Sequence, residues 1–169
     1  MKVSKRIFQL ETETAFSILA NANKLIKEGK DVINLGIGQP DFQTPKNIQE
    51  AAIKAIRDGH HGYTPSNGII ELREAISEMI ELDYKANISA ENILITPGGK
   101  PVIFYSTLIL GGEENEIIYP DPGFPIYKSM IKYSGAKPIP LILSEKDDFQ
   151  INIDKLESLI TNKTSLIII

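Results

Sequence analysis

From residue 93 to the last residue, short apolar runs alternate with segments of helical periodicity, and that rhythm admits few folds. Residues 93–96, 117–119, 137–143 and 166–169 read as strands, with helices at 102–110, 126–133 and 153–160 between them. Strands alternating with helices in this way give a layered α/β domain, with right-handed crossovers wherever neighbouring strands are parallel. Residues 165–169, SLIII, are apolar and β-branched with no turn signal after them, so this strand is expected to be central and buried on both faces. We read the sequence on that ground as an N-terminal portion of a longer domain.

The first ninety residues are helical in pattern. Residues 13–28 place Ala15, Ile18, Leu19, Ala22, Leu25 and Ile26 at helical spacing and close at Gly29. A short extended piece, 32–35, runs into the glycine- and proline-punctuated loop 36–42. Thr44 is then expected to cap a helix with Pro45 at its first position, Ile48, Ala51, Ala52, Ala55 and Ile56 on its buried face, and Gly59 at its end. After the polar loop 60–68, a further helix is expected to bury Leu72, Ala75, Ile76, Met79 and Ile80.

Composition removes several function classes. The chain has 169 residues, 42% of them hydrophobic and 24% charged, as expected of a globular protein with a sizeable core. A net charge of −4 without a Lys/Arg block does not provide the basic face that a nucleic acid requires. Cysteine is absent and the two histidines, His60 and His61, are adjacent, so no thiolate chemistry and no metal site are expected. No segment reads as a membrane span or a secretory leader, which leaves the cytoplasm as the default compartment.

Two loops follow strand ends, where open α/β sheets bind their ligands. The first lies in ILITPGGKPVIF, residues 93–104. Gly98 and Gly99 allow a ligand close to the backbone, and the helix that follows presents unpaired N–H groups at the positive end of its dipole. Lys100 in the first turn is disfavoured by about 0.3 to 1 kcal/mol unless an anion sits there too. A phosphate would suit this turn, although a plain βα turn with a solvated lysine carries the same residues. The second loop, DPGFPIY at 121–127, uses two prolines to limit where Phe124 and Tyr127 point. A fixed aromatic beside a phosphate cradle offers a surface for a flat ring, and a hydrophobic plug under a turn is the competing reading. A P-loop is excluded, because GGKP lacks the upstream glycine and the following Ser/Thr.

Four motifs, GIGQPDFQTP at 36–45, GYTPSNGIIELREAI at 62–76, ITPGGK at 95–100 and DPGFPIY at 121–127, together resemble the fold type I pyridoxal-phosphate aminotransferases of the aspartate aminotransferase-like branch. SKRIFQL at 4–10 is similar to that family's N-terminal arm. The resemblance implies a three-layer α/β/α large domain, here incomplete and preceded by a helical arm. Residues 1–45 would form the arm and part of the small domain, and residues 46–169 the first part of the large, cofactor-binding domain. The implied activity is amino-group transfer between an amino acid and a 2-oxo acid, with pyridoxal 5'-phosphate as electron sink. Lyase, racemase and acyltransferase chemistry on the same scaffold, and a non-catalytic ligand-sensing domain, remain as alternatives.

The resemblance also assigns roles. Gly99 and Lys100 would offer backbone N–H groups to the cofactor phosphate, Gly98 would complete the bend, and Phe124 would lie against the pyridine ring. Gly38 would present its amide to the substrate carboxylate. Tyr63 would cross a two-fold interface to the phosphate of a neighbouring subunit, so a homodimer with shared sites is implied. Pro101 departs from the pattern, since relatives often carry a polar residue there and proline has no N–H to give. No lysine stands in the family's Schiff-base context, so no catalytic residue is expected within these 169 residues, which would be inactive alone.

Overall fold

The computed structural model describes residues 3–10, 15–36 and 38–169. They form two compact units, Met1–Gly36 with Gly98–Ile169, and Ile37–Pro97.

The first unit holds a parallel sheet of three strands in the order β2-β1-β3, with β1 at Glu116–Asp121, β2 at Lys137–Ile142 and β3 at Thr164–Ile167. Ile118 stands opposite Ile139 on one side and Ile167 on the other. Helix α5 (Ile126–Ser134) connects β1 to β2, and α6 (Ile153–Leu159) connects β2 to β3, as the alternating pattern predicts. Ile117, Ile118, Ile131 and Leu141 are fully buried, each contributing about 1.5 to 3 kcal/mol. Helix α4 (Lys100–Leu110) inserts Thr107 into this core, its hydroxyl donating to Ile103 O at 2.8 Å and Phe104 O at 3.0 Å. Its far end lies close to α5, since a Cβ on Gly111 would come within 2.3 Å of Ser134 Oγ.

Helix α1 (Ala15–Lys27) ends at Gly29, whose φ of 82° supports a Schellman closure: Gly29 N–H donates to Ile26 O and Lys30 N–H to Leu25 O. Of the expected start of this helix, residues 13 and 14 lie outside the described residues.

The second unit holds α2 (Lys46–Arg57), α3 (Ile70–Tyr84) and a 3-10 turn, Ala90–Asn92. Gly59 closes α2 by the same Schellman pattern, with Gly59 N–H to Ile56 O and His60 N–H to Ala55 O. At the other end the Thr44 cap is not observed. Pro45 itself occupies the cap position, with no side-chain hydrogen bond, and the Thr44 carbonyl accepts from the Gln49 side chain. Proline there fixes φ without needing a hydroxyl.

Four further expectations are corrected. The apolar stripe of α2 is not buried: Ile48 is 53% and Ile56 65% exposed, because this unit supplies no further layer to cover it. In α3 the inward stripe is Arg73, Ile76, Ser77 and Ile80, while Leu72 and Met79 are exposed. Segment 93–96 is extended but pairs with no strand among the described residues; Ile95 N–H donates instead to Asn67 O at 3.1 Å. Without a neighbour to bond, β-prone residues make no ladder. Finally, β3 is parallel as expected, but it occupies an edge of the described sheet and begins two residues early, with Ile167 exposed.

The amino ends of the three strands are tied together by one carboxylate. Glu116 accepts from Lys137 Nζ at 2.9 Å and from Thr161 Oγ1 at 2.8 Å, and its N–H donates to Lys163 O. The Lys137 hydrogen bond first, then that of Thr161, holds its carboxyl below the usual range despite the opposing effect of burial. A depressed carboxyl stabilises the fold above its unfolded value and loses that contribution as pH falls through its folded value. The stability advantage of the wild type over Glu116→Gln, read from urea midpoints, should therefore be full near neutrality and vanish on acidification below about pH 4. A gap independent of pH would contradict the network.

Candidate functional site

In the first unit the site begins where β1 ends. The chain leaves Asp121 through a cis peptide bond to Pro122, and Gly123 follows so close to Pro120 that a Cβ there would lie 2.2 Å from the Pro120 carbonyl oxygen. Only glycine fits without moving the backbone. Pro125 precedes α5, and Tyr127 N–H donates to Phe124 O at 3.0 Å. The main chain at Phe124 is thus fixed on both sides. The Phe124 ring meets the Tyr127 ring edge-on, 5.8 Å between centroids and 82° between planes, a favoured aromatic arrangement. A cleft of about 220 Å³ opens here, lined by Tyr119, Asp121, Phe124 and Lys128 among others.

The α4 start belongs to the same unit. Gly98 takes φ +87°, the left-handed conformation that glycine tolerates, and Gly99 is the N-cap. No side chain caps this end and no acidic residue occupies its first turn. A Cβ on Gly98 or Gly99 would meet nothing within 4 Å, so the backbone is approachable from that side. Lys100 Nζ stands 5.8 Å from the Phe124 ring centroid, a cation–π distance that joins the two loops directly. Pro101 lies within the first turn and gives no N–H. A bend open to ligands, a helix start without a carboxylate, a lysine and a fixed aromatic ring fit a flat cofactor with an anionic tail.

Four of the six expected site residues, Gly98, Gly99, Lys100 and Phe124, therefore lie in one unit, the last two in contact. Tyr63 and Gly38 belong to the other unit. Tyr63 is fully exposed on a pocket of about 670 Å³ whose lining includes Ala55, His60, Thr64 and Glu71. Gly38 lies in an exposed loop with open space where a Cβ would be. Asp121, which opens the DPGFP motif, and Lys128 line the Phe124 cleft without having been expected as site residues. Among the described residues no group of three His, Asp or Glu side chains could hold a metal, and no helix is long and apolar enough to cross a membrane.

The arrangement is that of an α/β protein in which the loop at the carboxyl end of β1 and the glycine bend before α4 come together. The chain belongs to the aminotransferase class I and II family, whose model matches residues 30–169. It is 41% identical over 167 residues to a (5-formylfuran-3-yl)methyl phosphate transaminase of Methanocaldococcus jannaschii, covering 99% of this chain and 43% of the relative. It is 36% identical over 169 residues to an aspartate aminotransferase of Bacillus subtilis, covering all of this chain and again 43% of the relative. Among solved structures, the aspartate aminotransferase of Thermus thermophilus with maleate superposes with a TM-score of 0.92 at 27% identity, over 100% of this chain and 44% of that one. The chain thus spans somewhat under half the length of the relatives it matches.

Because Gly123 has no room for a Cβ, Gly123→Ala should displace the Phe124 loop and destabilise the protein by roughly 1 to 3 kcal/mol. A melting temperature equal to that of the wild type would contradict so tight a turn.

Proposed function

We propose that the whole protein to which these residues belong is a pyridoxal-phosphate-dependent aminotransferase, transferring an amino group between an amino acid and a 2-oxo acid. One observation carries the reading: Phe124, held rigidly at the end of β1, contacts Lys100 at the start of α4. Membership of the aminotransferase class I and II family supports it.

On this reading Gly99 and Lys100 offer main-chain N–H groups to the cofactor phosphate, and the left-handed bend at Gly98 sets their direction. The Lys100 ammonium adds positive charge beside that anion. Phe124 limits the tilt of the pyridine ring by stacking, which also keeps water from one face. When bound, the cofactor supplies an electron sink for bond cleavage at the substrate's α-carbon. Gly38 presents its amide to the substrate carboxylate, and Tyr63 donates its hydroxyl to the phosphate in a neighbouring subunit of a homodimer. The lysine that links covalently to the cofactor lies, on this reading, outside residues 1–169. So do the residues that select the side chain of the substrate. Residues 1–45 then belong to the arm and small domain, residues 46–169 to the large domain, and the enzyme acts in the cytoplasm.

The test uses the complete natural protein loaded with pyridoxal phosphate and supplied with pairs of amino acid and 2-oxo acid. Appearance of the exchanged amino acid is the expected result, and racemisation or elimination without exchange overturns it. Phe124→Leu keeps apolar bulk but removes the ring face, so the dissociation constant for pyridoxal phosphate should rise roughly two- to twelvefold. Unchanged affinity in a fluorescence titration would remove Phe124 from the site.

A further inference from the structure

We propose that Arg73 is a positioning residue for the loop that presents Tyr63. The inference rests on the reading above in which Tyr63 addresses the cofactor phosphate. Arg73 is only 8% exposed, and its guanidinium is spent on main-chain carbonyls: Nε donates to Gly68 O at 3.2 Å and an Nη to Ala90 O at 2.8 Å. A buried guanidinium is expensive and persists only where its hydrogen bonds are needed. An apolar residue on the inward face of α3 would have served packing alone.

The Arg73 side chain is the side-chain anchor of a turn otherwise held by main-chain hydrogen bonds and by packing on Ile95. Residues 65–68 close through Gly68 N–H to Pro65 O at 3.0 Å. Gly68 takes φ +96°, and a Cβ there would fall 2.4 Å from Ile95 Cγ1, so the turn is pressed against segment 93–96. Asn67 O accepts from Ile95 N–H. Arg73 adds the third anchor and ties the same turn to the Ala90–Asn92 turn. Tyr63, two residues before Pro65, is fully exposed, so packing of its own ring does not set its direction. The backbone behind it does. Release of Gly68 from Arg73 would let the loop and the Tyr63 hydroxyl wander.

The experiment uses the complete natural protein and two measurements. Amide exchange in Arg73→Lys, which keeps the charge but not the planar fork, should lose protection about two- to twelvefold at Gly68 and Ile95 while β1 amides stay unchanged. Pyridoxal phosphate affinity is then compared across wild type, Tyr63→Phe, Arg73→Lys and the double variant. Arg73→Lys should bind a few-fold more weakly, and in the Tyr63→Phe background it should add nothing further. Penalties that multiply would overturn the proposal, because Arg73 would then act independently of Tyr63. If Tyr63→Phe alone binds like the wild type, the role given to Tyr63 fails, and exchange at Gly68 and Ile95 by itself decides whether Arg73 holds the loop. Wild-type exchange there in Arg73→Lys overturns it. Should Arg73→Ala fail to fold, the lysine variant still carries every comparison.

Discussion

β1 is hydrogen-bonded to a neighbour along each edge, and its residues Ile117 and Ile118 are fully buried. A parallel strand in that position cannot slip by one residue without disturbing the ladders on both of its edges and the packing on both of its faces. Its register therefore fixes β2 and β3, and α5, pinned through Ile131, follows. Glu116 fastens the amino end of the same strand to Lys137 on β2 and to Thr161 ahead of β3. Hydrophobic burial supplies the driving force, and the carboxylate supplies direction, because only one register brings both donors to it.

With that cluster at the amino ends, the carboxyl ends are left to loops. Gly123 and the prolines around it convert a strand terminus into a stiff mount for Phe124, and the glycine bend before α4 brings Lys100 to the same ring. One end of the sheet is fastened by a charged network while the other is left to loops. The likeness to aminotransferases extends over 99 to 100% of the chain, so it covers this whole layout and not an isolated motif.

Local signals were the legible part. Gly29 and Gly59 announce their Schellman closures because a left-handed residue after an apolar periodic run has few other uses. The alternation after residue 93 likewise gave β1, β2 and both connecting helices within one or two residues. What failed depended on partners. Among the described residues, 93–96 have strand composition but no neighbour to pair with, and the α2 stripe has helical spacing but is left exposed. In α3 the expected Ile76 and Ile80 do face inward, but the stripe is completed by Arg73 and Ser77 and not by Leu72, Ala75 and Met79. A stripe running through Arg73, Ile76 and Ile80 was equally present in the sequence, but carbonyls from the turns on either side of α3 are what make it habitable for a charge. The bends at the DPGFP and PGGK motifs were readable for the opposite reason: their geometry is set by prolines and glycines within the motifs themselves.

Pro101 brings a different kind of consequence. Its ring sits in the opening turn of α4 and withholds one donor from whatever binds there, yet it also freezes a torsion that other residues would leave loose. A helix mouth stiffened in advance has less motional freedom to surrender when an anion arrives, so part of the missing attraction is returned as entropy. Grip at this turn then comes less from the number of hands than from how little they must move to close.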